Sequence, residues 1–414
     1  MVYVLSKNNK PLMPCQNVIA RLLLKSKCAK VVRKCPFTIK LLRESTEYVQ
    51  SLVLGVDTGS GTLGTAVFCE ETSEVVYASQ VEIRNDVHRK MEQRKMFRSN
   101  RRNRKTRYRK PRFLNRKNSI KIGRFSPTMI SKLNSHTKEI NFIYSILPIK
   151  TLVLETGTFD THLMKDTRLA DNKVKHWGYQ KGPNYGFGST KAQVLHRDGY
   201  KCQNCGKVKC KLEVHHIIFR SNGGSDEPEN LITLCNDCHY KVHNRGLVLR
   251  KVGKQSNLKF ATQMNSIRKQ LLITYPQAIE TFGFVTTANR FKLGVPKDHY
   301  LDACVIASCG NEFNINCNLF MKKSVSTGDY QQTFGNHSEK RYQTGKVCGF
   351  RKFDKVKYKG HEYFIKGRMS SGYAILMDIH GNTQKFINPK MPKFDKFKRI
   401  SARSTTLIVC KQLA

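Results

Sequence analysis

The sequence has few acidic residues and no long apolar run. Its 414 residues contain 30 Asp and Glu against 74 Lys and Arg, which gives a formal net charge of +44 at pH 7. So many cations repel one another in a compact chain unless a polyanion neutralises them, and this points to nucleic acid as the partner. A basic protein without such a partner is the alternative, but the clustering of the charge argues against it.

The absence of long apolar segments indicates the cellular compartment in which the protein is expected. No stretch of about 18 apolar residues occurs, so we expect no transmembrane helix and no membrane partner. The first ten residues, MVYVLSKNNK, lack the apolar centre of a secretory signal. We therefore expect a reducing, cytoplasmic compartment, in which the 14 cysteines are free thiols or metal ligands and not a disulfide framework.

Two Cys-x-x-Cys pairs form the most specific motif. Cys202 and Cys205 make the first pair, and Cys235 and Cys238 make the second. Two thiolate pairs at this spacing can close a tetrahedron around a structural Zn²⁺ ion, with Cys210 as a spare. The alternative is a set of ordinary buried cysteines.

Five further polar residues lie inside this zinc frame, namely His215, His216, Asn230, His239 and His243. A plain zinc ribbon does not need them. If His215 and His216 lie on a strand, their side chains point to opposite sides, so one can bind a metal ion while the other acts on a water molecule. This arrangement suits metal-assisted hydrolysis of a phosphodiester.

The Cys/His unit resembles an HNH (ββα-metal) nuclease domain of the zinc-ribbon type. That resemblance implies that His216 is the general base and that Asn230 orients this base or the metal loop. It implies His215 and His239 as metal ligands, with His243 as a third. The alternative is a zinc-ribbon DNA-binding module with incidental histidines.

Scattered carboxylates suggest a second metal site. Asp57 and Glu155 each end a buried apolar strand, where a carboxylate is unfavourable unless it binds a cation or accepts hydrogen bonds. His299 and Asp302 project from one face of a predicted helix. Each alone has a capping or turn explanation. Together they resemble the three split motifs of a RuvC nuclease, which implies that these four residues bind two Mg²⁺ (or Mn²⁺) ions and activate the attacking water.

The order of the motifs extends the resemblance over nearly the whole chain. An HNH unit between the second and third RuvC pieces is similar to type II CRISPR effectors and to the smaller, prokaryotic IscB proteins. Residues 86–117, after the first RuvC motif, form a highly basic stretch with helical character, and in that family this stretch is a bridge helix that holds guide RNA. The alternative is a solvated charged face or a nonspecific DNA clamp. Arg101, Arg102, Arg104 and Lys105 match the arginine-rich core of that helix. The residues predicted to bind nucleic acid are these four together with Arg94, Arg98, Arg107 and Arg109.

The predicted fold class is α/β. It comprises a RuvC-like mixed sheet of the RNase H type, split in sequence, an inserted ββα-metal HNH zinc domain and a small C-terminal β-barrel-like domain. The predicted segments are 1–50 (a PLMP-like domain around a turn at Pro11–Pro14), 51–85 (RuvC part I), 86–120 (bridge helix), 121–160 (RuvC part II), 161–190 (linker), 191–250 (HNH), 251–310 (RuvC part III) and 311–414 (a β-rich domain that contacts a target motif).

Local patterns give finer expectations for the third RuvC part. Residues 262–282 have helical spacing, and a strand is expected near 283–287. A helix begun by Pro296 is expected over 295–308.

The function that this resemblance implies is an RNA-guided DNA endonuclease that acts as one protein chain with a guide RNA on double-stranded DNA. The HNH centre would cut the guide-paired strand and the RuvC centre the displaced strand. One alternative is an unguided HNH endonuclease or nickase. Another is an inactive nucleic-acid-binding protein of a mobile element, against which the intact Asp57, Glu155, His216 and Asp302 argue.

Overall fold

The structure is a computed structural model that describes residues 1–102, 125–178, 181–182, 184–222, 224–249, 258–327, 345–369, 371–387 and 391–412. The chain divides into two compact units. The first comprises Met1–Gly157 and Gln263–Ala414, and the second comprises Thr158–Thr262. The second unit is therefore inserted into the chain of the first.

Both units contain strands and helices. The strands, in chain order, are β1 (Val2–Leu5), β2 (Pro11–Cys15), β3 (Ala29–Lys34), β4 (Phe37–Leu41), β5 (Leu52–Asp57), β6 (Thr62–Cys69), β7 (Glu74–Glu82), β8 (Ile149–Glu155), β9 (Leu212–His216), β10 (Leu231–Cys235), β11 (Ile279–Thr281), β12 (Asn314–Ile315), β13 (Leu319–Ser324), β14 (Lys355–Tyr358), β15 (His361–Arg368), β16 (Ala374–Met377), β17 (Lys398–Ser401) and β18 (Thr406–Lys411). The helices are α1 (Asn17–Lys25), α2 (Val87–Arg102), α3 (Pro127–Tyr144), α4 (Thr161–Lys165), α5 (Asn172–Gly178), α6 (Thr190–Arg197), α7 (Asn236–Asn244), α8 (Lys259–Thr274), α9 (Gly283–Lys292) and α10 (His299–Ala307).

The first four strands form a small sheet in the order β2-β1-β4-β3. Here the expected turn at Pro11–Pro14 is wrong, because these residues form β2, which pairs with β1. The chain turns earlier, where the Ser6 hydroxyl accepts hydrogen bonds from the backbone of Asn8 and Lys10. Prolines are tolerated in β2 because it is an edge strand, whose outer N–H positions need no partner.

The main sheet has the order β11-β8-β5-β6-β7-β13-β18, with β12 paired to β7. β5, β6 and β7 form an antiparallel meander. β8 runs parallel to β5, and β11 runs parallel to β8. The predicted α/β class with a mixed sheet is confirmed, and the parallel pairing puts the carboxyl ends of β5 and β8 at the same edge.

Helices cover both faces of this sheet. On one face, α3 and α8 contribute Ile140, Ile143, Ile267 and Leu271 to a core that also contains Leu52 and Leu54 of β5. On the other face, α10 packs Ala303, Cys304 and Ala307 against Ala66, Phe68 and Ala78. Each face buries apolar side chains that would otherwise be exposed to water, which is the main stabilising term of the unit.

Two glycines let α10 lie directly on the sheet. A Cβ atom on Gly55 would lie 2.4 Å from the carbonyl oxygen of Ala303, and one on Gly64 would lie 1.9 Å from that of His299. No side chain fits at either position. The close approach brings the first turn of α10 to the carboxyl end of β5.

Three expectations for residues 262–308 differ from the structure. The helix over 262–282 ends at Thr274, the strand falls at Ile279–Thr281, and residues 283–292 are helical. The pairing of β11 with β8 fixes the strand position, and α9 begins at Gly283 after the Phe282 N-cap. The last helix begins at His299 after the Asp298 N-cap, and not at Pro296.

The second unit contains the antiparallel pair β9 and β10 followed by α7, a ββα arrangement with a small core around Cys202, Ile232 and Leu234. The segment expected as a linker contains α4 and α5. In the first unit, β14–β17 form a sheet in the order β16-β15-β14-β17. This sheet is open within the described residues, so the expected closed barrel is not formed there. No helix in the described ranges is long and apolar enough to cross a membrane.

Candidate metal centres

The four predicted cysteines come together in the second unit. Their ligand atoms all lie within 4.8 Å of one another. A tight turn, closed by the bond from Gly206 N to Cys202 O at 2.8 Å, carries the first pair. Cys235 and Cys238 lie at the start of α7. This geometry fits a tetrahedral zinc ion, whereas the exposed Cys210 is outside the group.

Hydrogen bonds prepare one of these thiols to bind metal. Burial alone would raise the pKa of Cys202, but the backbone N–H groups of Cys205, Cys235 and Asn204 outweigh it and lower the pKa to about 6. The thiolate is the form that binds zinc. The cysteine group is therefore suited to a structural Zn²⁺ ion in spacing, and Cys202 is also suited to it in protonation.

Three histidines form a second group beside it. His215 on β9 meets His239 and His243 of α7, and one ring nitrogen of each lies within 4.8 Å of the others. His215 is buried, and its Nε2 has no hydrogen-bond partner among the described residues. Burial and then the neighbouring His239 and His243 lower its pKa to about 4. A neutral imidazole with an unpaired, buried nitrogen fits a divalent metal ligand.

His216 points away from this group, as strand alternation predicts. Its Nε2 lies 2.7 Å from Oδ1 of Asp226, and Arg220 donates two hydrogen bonds to the same oxygen. The hydrogen bonds from His216 and Arg220 lower the pKa of Asp226. Because the carboxylate can only accept, Nε2 carries the proton and Nδ1 carries the lone pair.

Asn230 fastens the loop between β9 and β10. Its side chain is fully buried, accepts a hydrogen bond from Ile218 N at 2.9 Å and donates to Ile218 O at 3.0 Å and Ser225 O at 2.8 Å. The loop follows His216 directly, so these bonds set the position of that histidine. The role predicted for Asn230, which is to orient the base or the metal loop, stays a prediction.

The carboxylates of the first unit also converge. The carboxylate cluster is defined here as Asp57, Glu155, His299 and Asp302. Asp57 and Glu155 end the adjacent parallel strands β5 and β8, and the other two lie on the first turn of α10. Nδ1 of His299 lies 2.6 Å from Oδ2 of Asp57. Residues far apart in the sequence are thereby placed at one sheet edge.

The members of the carboxylate cluster affect one another's protonation. Burial, followed by the charge of Asp57, raises the pKa of both Glu155 and Asp302. The hydrogen bond to Asp57 raises the pKa of His299. Oδ1 of Asp302 is buried and accepts no hydrogen bond from the described residues, although Nε of Arg290 lies 3.2 Å away. Clustered carboxylates of this kind fit divalent cations that bind oxygen ligands.

The carboxylate cluster is looser than the other two groups. In the described part of the chain, only the cysteine and histidine groups have all their ligand atoms within 4.8 Å. Arg268 and Arg290 instead balance the negative charge. Nη2 of Arg268 lies 3.9 Å from Oε1 of Glu155, and Thr286 donates to the other oxygen of Glu155 at 3.0 Å.

Comparisons with known proteins match both units. Residues 2–182 match the RRXRR protein family, and residues 202–245 match the HNH endonuclease family. Anaredoxin from Nostoc sp. is 41% identical over 64 residues, which are 16% of this chain and 83% of anaredoxin. The type IV methyl-directed restriction enzyme EcoKMcrA from Escherichia coli (strain K12) is 39% identical over 61 residues, which are 13% of this chain and 22% of that enzyme.

The chain therefore carries an HNH endonuclease domain at residues 202–245. This assignment makes it a metal-dependent DNA endonuclease, and the predicted enzyme class is confirmed. An RRXRR segment before the HNH segment also agrees with the IscB-like arrangement predicted from the sequence.

Among solved structures, the endonuclease is similar to Streptococcus thermophilus Cas9 in complex with the AGAA PAM. The identity is 12% and the TM-score 0.32, over 58% of this chain and 32% of the Cas9 chain. For a complex of the same protein with the GGAA PAM, the identity is 13% and the TM-score is 0.32, over 59% of this chain and 32% of the Cas9 chain. This endonuclease spans about a third of the length of those chains.

The basic stretch of the endonuclease is only partly described. Helix α2 covers Val87–Arg102, and the side chains of Arg94 and Arg98 are exposed on it. Arg101 and Arg102 belong to the same helix. The remaining predicted nucleic-acid-binding residues, Arg104, Lys105, Arg107 and Arg109, lie outside the described residues.

Several residues of the endonuclease sites were missed by the sequence analysis. Oε2 of Glu213 lies 3.1 Å from Nδ1 of His239, which leaves Nε2 of this histidine to face a metal ion. Glu213 lies two residues before His215 on the same strand, so the sequence already indicated that the two side chains share one face. Asp226, Arg268 and Arg290 carry no sequence pattern that marks them, because only the fold brings them to the sites.

Proposed function

We propose that this endonuclease is an RNA-guided enzyme with two nuclease centres. The HNH centre, built from His215, His216, Asn230, His239 and His243, would cut the guide-paired strand. A RuvC-like centre at the carboxylate cluster would cut the displaced strand. The observation that carries the proposal is the convergence of three distant sequence motifs on one sheet edge, in a chain that holds a separate HNH unit.

At the HNH centre, His216 is suited to remove a proton from the attacking water. Asp226 accepts from its Nε2 and so holds the ring with the Nδ1 lone pair free to accept that proton. The same carboxylate stabilises the imidazolium that forms. Asn230 keeps the adjacent loop in place, so that the ring stays in its working position.

Metal ions complete both centres in this proposal. His215, His239 and His243 would hold one divalent ion and the carboxylate cluster two, and Mg²⁺ (or Mn²⁺) in these places stabilises negative charge on phosphate oxygens. A Zn²⁺ ion on the four cysteines would be structural. The lowered pKa of His215 keeps this ligand unprotonated at neutral pH.

At the RuvC-like centre, the chain positions its acidic groups before substrate binds. Asp57 holds His299 through a 2.6 Å hydrogen bond. Arg268 donates to the side-chain oxygen of Thr58 at 2.9 Å and to its carbonyl oxygen at 3.2 Å, and also to the carbonyl oxygen of Gly157. It therefore ties together the chain segments that follow Asp57 and Glu155.

A guide RNA is proposed from charge and from the RRXRR segment. The net charge of +44 suits a chain that binds several phosphate backbones at once. The exposed arginines of α2 offer bidentate phosphate contacts. We propose that one protein chain and one RNA form the active particle, in which base pairing selects the target DNA.

The test is to sequence RNA that copurifies with the protein and to restore it to RNA-free protein. We expect cleavage of a plasmid that carries the complementary sequence, and no cleavage of a plasmid without it. Equal cutting of both plasmids after ribonuclease treatment would refute guidance.

An unguided HNH endonuclease is the second candidate, because residues 202–245 match the HNH endonuclease family and the restriction enzyme EcoKMcrA is 39% identical over 61 residues. In that case the carboxylate cluster would be dispensable. Asp57→Ala distinguishes the two candidates, because it would leave the cutting of both strands unchanged in an unguided HNH enzyme.

A further inference from the structure

Two phenylalanines at the start of α9 present their rings to solvent. Phe282 is 45% exposed and Phe284 is 74% exposed. Their ring centroids lie 5.9 Å apart, and the ring planes are within 8° of parallel. Large aromatic side chains usually bury most of their surface, so an exposed parallel pair suggests a surface for binding a partner.

The pair lies at the rim of the carboxylate cluster. Gly283 separates the two residues, and a Cβ atom there would lie 3.2 Å from Oε1 of Glu155. Thr286 lies three residues after Gly283 on α9, and its hydroxyl group donates to Oε2 of Glu155. Cδ1 of Phe282 would lie 3.8 Å from a Cβ atom on Gly157, just after β8. Any strand that reaches Glu155 from this side passes the two rings.

The helix that carries the pair is basic. Its sequence, GFVTTANRFK, contains Arg290 and Lys292 and no acidic residue. Phe291 lies seven residues after Phe284, on the same face and about 10 Å further along the axis. Phe291 is 73% exposed, and the guanidinium of Arg290 lies 5.1 Å from its ring centroid. Exposed aromatic rings together with cations are the chemistry that binds single-stranded nucleic acid.

We propose that Phe282 and Phe284 form a stacking platform for unpaired bases of the DNA strand that enters the carboxylate cluster. The proposal rests on the nuclease function proposed for that cluster and adds a preference for unpaired over paired DNA. Bases in a duplex already stack on their neighbours, so their faces are not available to the rings. A platform of this kind binds many sequences, because every base has an aromatic face.

Tryptophan fluorescence tests the platform directly. The chain has a single tryptophan, Trp177, so W177F/F284W carries one probe at the platform. We expect single-stranded DNA to quench this fluorescence and duplex DNA of the same sequence to leave it nearly unchanged, with Ca²⁺ in place of Mg²⁺ to prevent cutting. Equal quenching by both forms, or none by either, would overturn the proposal.

The matched control is W177F/Y48W. Tyr48 is 93% exposed and precedes β5, at the opposite end of that strand from Asp57. Its probe should respond equally to single-stranded and duplex DNA. If it shows the same preference for single strands as the probe at position 284, the effect does not belong to the platform.

Substitutions at position 284 separate stacking from apolar packing. We expect Phe284→Ala and Phe284→Leu to slow cutting of the displaced strand at least about fivefold at subsaturating DNA, since stacking contributes about 1–3 kcal/mol per base. Phe284→Trp should retain the rate, and cutting of the guide-paired strand should not change in any variant. If Phe284→Leu matches the unsubstituted protein, or Phe284→Ala mainly lowers thermal stability, the rings pack against protein and the platform is wrong.

The outcome for the platform stays separable from that for the proposed function. If Asp57→Ala leaves both strands cut at full rate, the carboxylate cluster is not a nuclease centre. The fluorescence of F284W still reports whether unpaired DNA stacks there, because that measurement involves no cleavage.

Discussion

Gly224 lies where the loop between β9 and β10 folds back on Asn230. A Cβ atom at this position would lie 1.8 Å from the carbonyl oxygen of Ile218 and 2.9 Å from Nδ2 of Asn230. We predict that Gly224→Ala displaces the loop that follows His216. Cutting of the guide-paired strand should fall about tenfold or more, because small displacements of a catalytic group are costly in rate. Strand-specific cleavage assays measure this effect.

The control for this substitution is Gly188→Ala. Gly188 belongs to the same unit, and a Cβ atom there meets nothing within 4 Å. Bound zinc should stay at the level of the unsubstituted protein in both variants. Equal rates for the two variants would show that the loop position does not matter.

Arg268 gives a residue-scale prediction at the carboxylate cluster. Its buried guanidinium bonds to Thr58 and Gly157, and a lysine at this position cannot make the same fork of contacts. We predict that Arg268→Lys lowers kcat for the displaced strand about tenfold or more with little change in KM, because the carboxylates lose their alignment. The neighbouring, exposed Lys269 supplies the control Lys269→Ala, which should have no effect. An unchanged kcat in Arg268→Lys would contradict the positioning role.

At the residue scale, sequence patterns identified the candidate catalytic and metal-binding residues. They did not identify the neighbouring residues that hydrogen-bond to these side chains or fix the adjacent backbone. Asp57 and Glu155 were identifiable because an acidic residue at the end of an apolar strand is unusual. Asp226 and Arg268 look like ordinary surface residues in the sequence. They reach the sites only through the loop after β9 and through the packing of α8 on the sheet.

At the element scale, the contact of α10 with β5 and β6 determines the carboxylate cluster. The apolar runs of β5 and β8 predicted buried strands, and both are present. The start of α10 was misplaced at Pro296 because proline favours a first helical turn. The helix begins instead at His299 after the Asp298 N-cap, where the carbonyl group of His299 lies against Gly64. The close approach allowed by Gly55 depends on residues far away in the sequence, so no local pattern revealed it.

A buried ion pair joins two elements of the first unit. Nζ of Lys322 on β13 lies 2.6 Å from Oε1 of Glu139 on α3, and the two side chains are 1% and 6% exposed. The hydroxyl groups of Tyr77 and Ser79 donate to the same oxygen. We predict that Lys322→Met lowers the free energy of unfolding by about 3–5 kcal/mol, because it leaves a buried carboxylate without its cation.

Denaturant titration measures this prediction. Adding Glu139→Gln to Lys322→Met should restore part of the loss, since the buried charge is then absent. Lys10→Met, which removes an exposed ion pair with Glu47, serves as the control and should change stability by less than about 1 kcal/mol. A loss of that small size in Lys322→Met would show that the buried pair is not stabilising.

The proposed zinc site leads to a prediction for the stability of the ββα unit. We predict that Cys202→Ser loses bound zinc and exposes the amides of β9, β10 and α7 to hydrogen exchange, because a unit with so small a core depends on its metal. Elemental analysis and exchange mass spectrometry measure the two effects. Cys210→Ser should keep zinc and protection. A Cys202→Ser protein that retains both would contradict the assignment.

At the scale of the whole molecule, motif order carried more information than any single motif. An HNH pattern between two halves of another pattern predicted an inserted unit, and Thr158–Thr262 is inserted into the rest of the chain. The open C-terminal sheet could not be predicted, because alternating apolar residues suit open and closed sheets equally. Net charge predicts a polyanionic partner but not its kind, which is why RNA remains a proposal.

Strand-specific cutting by single-site variants tests the two-centre account most directly. With the copurified RNA restored and a target plasmid labelled on each strand, His216→Ala should leave a nick in the displaced strand only. Asp57→Ala should leave a nick in the guide-paired strand only. If either substitution abolishes the cutting of both strands, or if neither changes the pattern, the account of two separate centres is wrong.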